Sequence, residues 1–534
     1  MSQDARYDEE QATQRRAQIL NLQYADTSGP NKPIFKNLLT TQELYDLKII
    51  PLYADDHAIS FGVTNSTSQA VMNSIRQRFQ DQRLTFSLIS DVGYREYMKL
   101  YNPPKEVIYQ DISLNSAGTE NLVQQVSATL EQVRADDMLA YLVQQAHKLA
   151  ASDIHLETQV SHVRVRFRID GVLHPIAHLS PQKYRVLISA IASAGNISTS
   201  SPDAQQGHIS QKVSMADGGE VAVNLRLESV PTINGMDMVM RLFNMNQEMY
   251  NLDRLGLSQL ERHVVDDIIA KPSGLVLVVG PTGSGKTTTL YSMLNSLNNP
   301  ERKIITIEDP VEYQFQGITQ ISVTSKTAQE TNFAERLRAV LRLDPDIVMV
   351  GEIRDMDTAK TALQAALTGH LVLSTFHASS AAAALTRMMD VIGQNPLFVS
   401  AIRLVMAQRL VRKLDDEIKQ PFQPDEVTLQ IIQKVLDTLP QGVDRPQDLR
   451  SLQFYQPGSS AENPYGFKGQ IALREQFLMS GKIRELLEQG NMRLSAQTIE
   501  EAAVQSGMRT MLQDGILKVC AGETTMEEVY RVVG

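Results

Sequence analysis

Residues 280–287 read Gly280-Pro281-Thr282-Gly283-Ser284-Gly285-Lys286-Thr287. This is the pattern G-x-x-x-x-G-K-[ST], in which glycines let successive backbone N–H groups turn inward on phosphate oxygens. Lys286 would reach the β/γ-phosphates, and Thr287 would offer its hydroxyl to Mg²⁺. The apolar run Leu275–Val279 predicts a strand leading in. Thr288–Leu297 predicts a helix leading out, whose N-terminus adds partial positive charge. The competing reading is a chance Gly-rich turn, and the agreement of pattern, strand and helix weighs against it.

Three later segments could complete a phosphoryl-transfer site. Ile304–Ile307 predicts a strand running into Glu308-Asp309-Pro310-Val311-Glu312, which places carboxylates at a strand's C-terminal end. A solvated acidic turn would look the same. Ile347-Val348-Met349-Val350-Gly351-Glu352 is four apolar residues and then an acid, with Gly351 where an Asp often stands. That puts Glu352, or a water it holds, near Mg²⁺ and the γ-phosphate. Thr368–Ala378 sets His370 and His377 on either side of a strand, where either could sense phosphate or be structural.

The elements that position these groups follow from length and pattern. The chain has 534 residues, too many for one core, with 42% hydrophobic content and net charge −10. No global basic field attracts nucleic acid. The single cysteine, Cys520, excludes an internal disulfide and suits a reducing compartment. No run approaches a membrane span, and residues 1–20 lack the apolar core of a signal peptide. The expected order is a polar lead (1–34), a small α/β domain (35–101) and a Ser/Gln/Asn-rich linker (102–134). A second domain (135–247) and a phosphate-loop domain with a C-terminal helical part (248–534) follow. In the second, residues 162–168 alternate as a half-buried strand and Asp170-Gly171 turns a hairpin.

Taken in order and spacing, these four motifs resemble the Walker A, Asp box, atypical Walker B and His box of the bacterial secretion ATPase superfamily. The resemblance is to its type IV pilus assembly and type II secretion branch, and it spans roughly residue 136 to the C-terminus. Ala151–Glu157, Val163–Gly171, Ala407-Gln408-Arg409-Leu410-Val411 and Gly466-Phe467-Lys468-Gly469 also match. Residues 35–101 look more weakly like the family's N-terminal domain. The resemblance implies an α/β fold, a RecA-like ATPase domain preceded by a PAS-like α+β domain. It implies ATP and Mg²⁺ as ligands, a homohexamer, and an inner-membrane platform protein as partner. It also implies a cytoplasmic place at the inner face of the membrane, while the net charge of −10 and the lack of a nucleic-acid motif lead us to expect no direct nucleic acid. Glu312 matches the glutamate that orients water, and Glu352 the Walker B glutamate. Arg226 and Arg241 match arginines that reach the phosphates when two domains close. Arg338 and Arg342 match a second functional pair.

Two departures from the family are expected to matter. The two C-x-x-C pairs that often follow the Gln-Arg-Leu segment are absent, and no zinc site is expected; packing by Leu429, Ile431, Ile432, Val435 and Leu436 would replace it. Residues 199–207 alter the family's basic, proline-containing stretch. The first expectation for function is a motor for type IV pilus assembly, with a type II secretion or DNA-uptake ATPase as the alternative. A nucleic-acid translocase and a nucleotide-binding regulator without turnover are the rival classes.

Overall fold

The computed structural model describes residues 3–29, 32–101, 111–112, 119–134, 137–214, 220–243, 250–323, 333–392, 397–460, 463–488 and 494–533. The chain divides into two units, Met1–Ile108 and Tyr109–Gly534. In the first, β1 Gln23–Tyr24, β2 Ile49–Ala54, β3 Ala58–Val63 and β4 Arg83–Leu88 form a sheet in the order β1-β4-β3-β2. The lead expected to be loose is a helix, Gln3–Ile19. Its inner face is small and polar. Thr13 and Ala17 are buried, and the Glu10 carboxylate accepts from Tyr24 Oη and Ser90 Oγ, each at 2.7 Å. Apolar periodicity cannot reveal a helix that docks this way.

The second unit opens with a helix, Thr119–Gln132, inside the expected linker. Leu122, Val126 and Leu130 are buried on one of its faces, and Val133 just beyond it is buried too. Ser127 Oγ accepts from His178 N–H at 2.8 Å, and a Glu131 carboxylate oxygen accepts from Ser180 N–H at 3.2 Å. Six antiparallel strands follow: β5 Ala151–Thr158, β6 Val163–Ile169, β7 Val172–Leu179, β8 Gln205–Ser214, β9 Glu220–Thr232 and β10 Gly235–Phe243. Their order is β7-β6-β5-β10-β9-β8. The expected domain breaks, at 135 and at 247–248, fall outside the described residues.

The last sheet contains β11 Gly274–Val279, β12 Ile304–Glu308, β13 Thr319–Ser322, β14 Ile347–Val350, β15 Leu371–Phe376 and β16 Ile402–Leu414. A two-stranded ribbon, β17 Gln420–Phe422 and β18 Phe454–Gln456, precedes the closing strand, β19 Phe467–Leu478. The order is β13-β12-β14-β15-β11-β16-β19, parallel except for the final antiparallel pair. A parallel sheet needs cover on both faces, and the strand residues divide accordingly. Leu275, Leu277, Val279, Ile305, Ile307, Val348 and Val350 enter one core layer. Val276, Val278, Ile304, Ile347 and Met349 enter the other. The parallel pairing brings the C-terminal ends of β11, β12, β14 and β15 to one edge, where an open α/β sheet binds ligands.

The helix Glu426–Leu436 carries the apolar residues expected to pack in place of a metal site. Ile432 and Leu436 are buried, and Leu429 and Val435 pack partly against the core. Ile431, expected to join them, faces solvent. The nearby carboxylates have their own roles. Asp415 accepts from Asn463 Nδ2 at 2.8 Å, Asp416 lies between Lys413 and Lys419, and Asp425 caps the helix through Thr428 N–H.

The final helix, Met526–Val533, is tied to β16 by Glu528. Its carboxylate accepts from Arg412 N–H at 2.9 Å, Arg412 Nη2 at 2.7 Å and Arg531 Nη2 at 2.7 Å. Burial works to raise its pKa, but the hydrogen bonds from Arg531 and Arg412 outweigh it and hold the group at about 2. An unfolded glutamate titrates near ~4.3. The depressed folded value therefore adds stability that is complete above that pH and is lost as pH falls toward 2. Glu528→Gln should cost about 2 kcal/mol at pH 7, and the gap from the native chain should narrow by pH 3. Urea melts at the two pH values measure this.

Candidate functional site

The phosphate loop leaves β11 and enters the helix Lys286–Leu297. Gly285 caps that helix at φ 82°, a left-handed conformation that favours glycine. Lys286 is almost buried, and its Nζ donates to Gly280 O at 2.9 Å and Pro281 O at 2.8 Å. Burial lowers its pKa, while Glu352 and Glu312 pull it back up. The hydroxyl of Ser284 is buried with no hydrogen-bond partner, and a Cβ on Gly283 would meet nothing within 4 Å. An open glycine crown, an orphaned buried hydroxyl and an ammonium at the floor fit a polyphosphate chain.

A cleft of about 980 Å³ runs over this loop. Pro281 to Thr288 line it together with Glu308, Glu312, Glu352, His377, Arg226 and Arg241. Glu308, at the end of β12, accepts from Tyr291 Oη, Thr306 Oγ1 and Gln320 Nε2. Tyr291 Oη also accepts from Glu312 N–H at 3.2 Å, so the phosphate-loop helix holds the acidic loop in place. The Glu312 pKa is raised, first by burial and then by Glu308, against the pull of Arg241, Arg226 and Lys286. A carboxyl that holds its proton more tightly than usual beside a phosphate site suits proton transfer.

Glu352 follows β14. Gly351 leaves room there, since a Cβ on it would come within 3.2 Å of Ile307 O. Glu352 pairs with Arg354, and its other oxygen lies 3.5 Å from His377 Nε2. Burial, then Lys286, lowers the His377 pKa, so the imidazole is neutral at pH 7. Thr287 and Glu352 both line the cleft, one with a hydroxyl and the other with a carboxylate, the oxygen donors that Mg²⁺ takes. Among the described residues no cluster of three or more His, Cys, Asp or Glu could cage a metal ion.

The opposite wall comes from the six-stranded sheet. Register sets Arg168 opposite Asp153, Asp153 opposite Arg241, and Arg241 opposite Arg226. One cross-strand row thus carries three arginines and one buried aspartate. Like charges directly opposite are unfavourable in a sheet. Asp153 offsets part of this, accepting from Arg241 Nε at 2.9 Å with Arg168 Nε at 3.4 Å, and Glu228 lies 3.1 Å from Arg226. The remaining positive charge faces the phosphate loop.

Sequence reasoning had left several of these residues unassigned. The residues 151–157 hold Asp153, the arginine anchor, and the residues 163–171 hold Arg168. Arg354 and Tyr291 carried no signal of their own. His370 sits at the other end of β15, its Nδ1 3.0 Å from Ala365 O, away from the cleft. Arg338 and Arg342 are exposed, on the helix Phe333–Val340 and the turn after it, and do not line the cleft.

Residues 130–531 match the family described as Type II/IV secretion system protein. The chain belongs to this family. Among its relatives, the type II secretion system protein E of Pseudomonas aeruginosa is 36% identical over 469 residues, 85% of this chain and 88% of that one. The type IV pilus assembly ATPase PilB of Thermus thermophilus is 36% identical over 407 residues, 75% of this chain and 43% of that one. The solved structure of the Yersinia pseudotuberculosis ATPase DotB aligns with a TM-score of 0.55 and 21% identity, covering 75% of this chain and 94% of that one. At that identity the likeness speaks for the fold alone, an α/β arrangement with a RecA-like sheet. Among the described residues no helix is long and apolar enough to cross a membrane.

Proposed function

We propose that this chain hydrolyses ATP with Mg²⁺ in the cleft and that the reaction drives a secretion or pilus machine. The observation that carries the reading is the arginine row facing a complete phosphate loop across one cavity that also holds Glu312 and Glu352. Lys286 and the loop N–H groups bind and orient the phosphates. Mg²⁺, held at Thr287 and Glu352, would neutralise phosphate charge. Glu352 holds the attacking water, with Glu312 as a second carboxylate able to take its proton. His377 hydrogen-bonds near Glu352 without adding charge. Arg226 and Arg241 stabilise the charge that develops on the transferred group. Site and leaving group are thus oriented by side chains from two sheets, so turnover and product release would alter how firmly the sheets close on each other.

The working form is a homohexamer at the cytoplasmic face of the inner membrane, coupled to a platform protein. Exposed Arg338 and Arg342 would there face a neighbouring copy. Type II secretion is now the leading role. Pilus assembly came first from sequence alone, but the type II relative aligns with most of both chains. The PilB likeness keeps pilus assembly as the second reading.

A phosphate-release assay on the purified chain with Mg²⁺ tests the enzymology, and no turnover would leave a non-hydrolysing regulator. Hydrolysis stimulated by polynucleotide and steeply weakened by salt would favour the translocase instead. In the native host, Lys286→Ala should abolish export of secreted proteins and leave surface pili intact. Loss of pili with normal export would reverse the order of the two roles.

A further inference from the structure

Gln408 lies in β16, which pairs with β11, and takes no part in the chemistry above. It is 1% exposed. Its Nε2 donates to Ser284 O at 2.6 Å, and its Oε1 accepts from Thr289 Oγ1 at 2.9 Å. Its main-chain oxygen lies 2.5 Å from where a Cβ on Gly280 would stand. One residue therefore touches the start of the phosphate loop, its crown and the first turn of its helix.

The bond to Ser284 has a directional consequence. A peptide unit is planar and trans, so its C=O and N–H point in opposite directions. With Ser284 O drawn outward to Gln408, the N–H of Gly285 in the same peptide turns toward the cleft, which both residues line. We infer that Gln408 is a positioning residue that fixes the Ser284–Gly285 peptide, so that the Gly285 N–H is preset as a donor to a nucleotide phosphate. The Gln408 amide oxygen takes a separate bond from Thr289, and its NH₂ side bonds the loop. Without the amide the glycine-flanked peptide can rotate, and an N–H must then be turned back each time a phosphate binds. The inference rests on reading the cleft as a phosphate site.

Binding of fluorescent ATP and ADP analogues to the full chain tests it, alongside steady-state kinetics and ligand-free melting. Gln408→Met keeps the length and removes both amide bonds. It should weaken ATP and ADP binding about tenfold each and raise KM similarly, with kcat at saturation within about threefold. Thr289→Val breaks only the companion bond and should leave affinity within about twofold. Should the Met variant not fold, Gln408→Glu keeps the shape and the Thr289 bond but cannot donate to Ser284, and affinity should again fall at least tenfold. Wild-type affinity in either Gln408 variant, with Lys286→Ala defective, overturns the inference. So does an equal loss in Thr289→Val, which would mean general loosening. Wild-type affinity in Lys286→Ala as well would instead overturn the phosphate-site reading.

Discussion

Glu352→Gln should bind ATP as tightly as the native chain and turn it over about 10²- to 10⁴-fold more slowly, the range over which a positioned acid–base group contributes. Binding survives because Lys286 and the glycine-rich loop are unchanged. Turnover fails because the carboxylate at the end of β14, beside the loop in the same cleft, becomes an amide that neither attracts Mg²⁺ nor accepts a proton. Little stability should be lost, since the Arg354 side chain released by the change is 62% exposed. Single-turnover hydrolysis and nucleotide titration separate the two effects. If the Gln variant turns over normally, the base is Glu312, whose raised pKa and contact with Tyr291 make it the next carboxyl to test. Glu312→Gln would then show the loss instead.

The core of this site was legible because its parts are local. The phosphate loop, the acid after β14 and the acid after β12 each follow a short apolar run; those runs become parallel strands buried on both faces, with the three groups at their C-terminal ends. What sequence concealed was register. Arg226 and Arg241 are 15 positions apart, and only the pairing of β9 with β10 sets them side by side over Asp153. Similarly, β8 is too polar to alternate clearly, and its place beside β9 is known only from pairing. The helix Thr119–Gln132 was hidden by composition, although its buried residues recur every four positions. The helix Gln3–Ile19 was not legible at all, because the groups that seat it are Glu10, Thr13 and Ala17 rather than a leucine stripe. For Gln408 the motif was visible and its work was not, since a buried amide reaching 124 positions back to Ser284 leaves no periodic trace.

Arg226→Ala should lower kcat on the order of 10³-fold, the scale at which arginines act on a transferred phosphoryl group, with a smaller change in KM. Arg226 is the cleaner of the opposed pair to remove. Its partner Glu228 has a side chain 55% exposed and can turn to water at little cost. Arg241→Ala would lower turnover too, but it leaves the buried Asp153 carboxylate with Arg168 as its one cation beside the Ser152 hydroxyl, so stability should fall as well. A second readout separates an electrostatic role from a structural one. Arg226 is among the cations that hold down the Glu312 pKa against burial and Glu308. Taking away that positive charge disfavours the carboxylate form, so the Glu312 pKa must rise further, and the acidic limb of the pH–rate profile should move to higher pH in Arg226→Ala. Arg226→Lys, which keeps the charge, should restore the limb while recovering kcat only partly, because an ammonium lacks the planar fork of a guanidinium. Native kcat in Arg226→Ala would mean that this wall of the cleft does not reach the nucleotide during turnover, and a limb that stays where it was would mean that Glu312 does not set it.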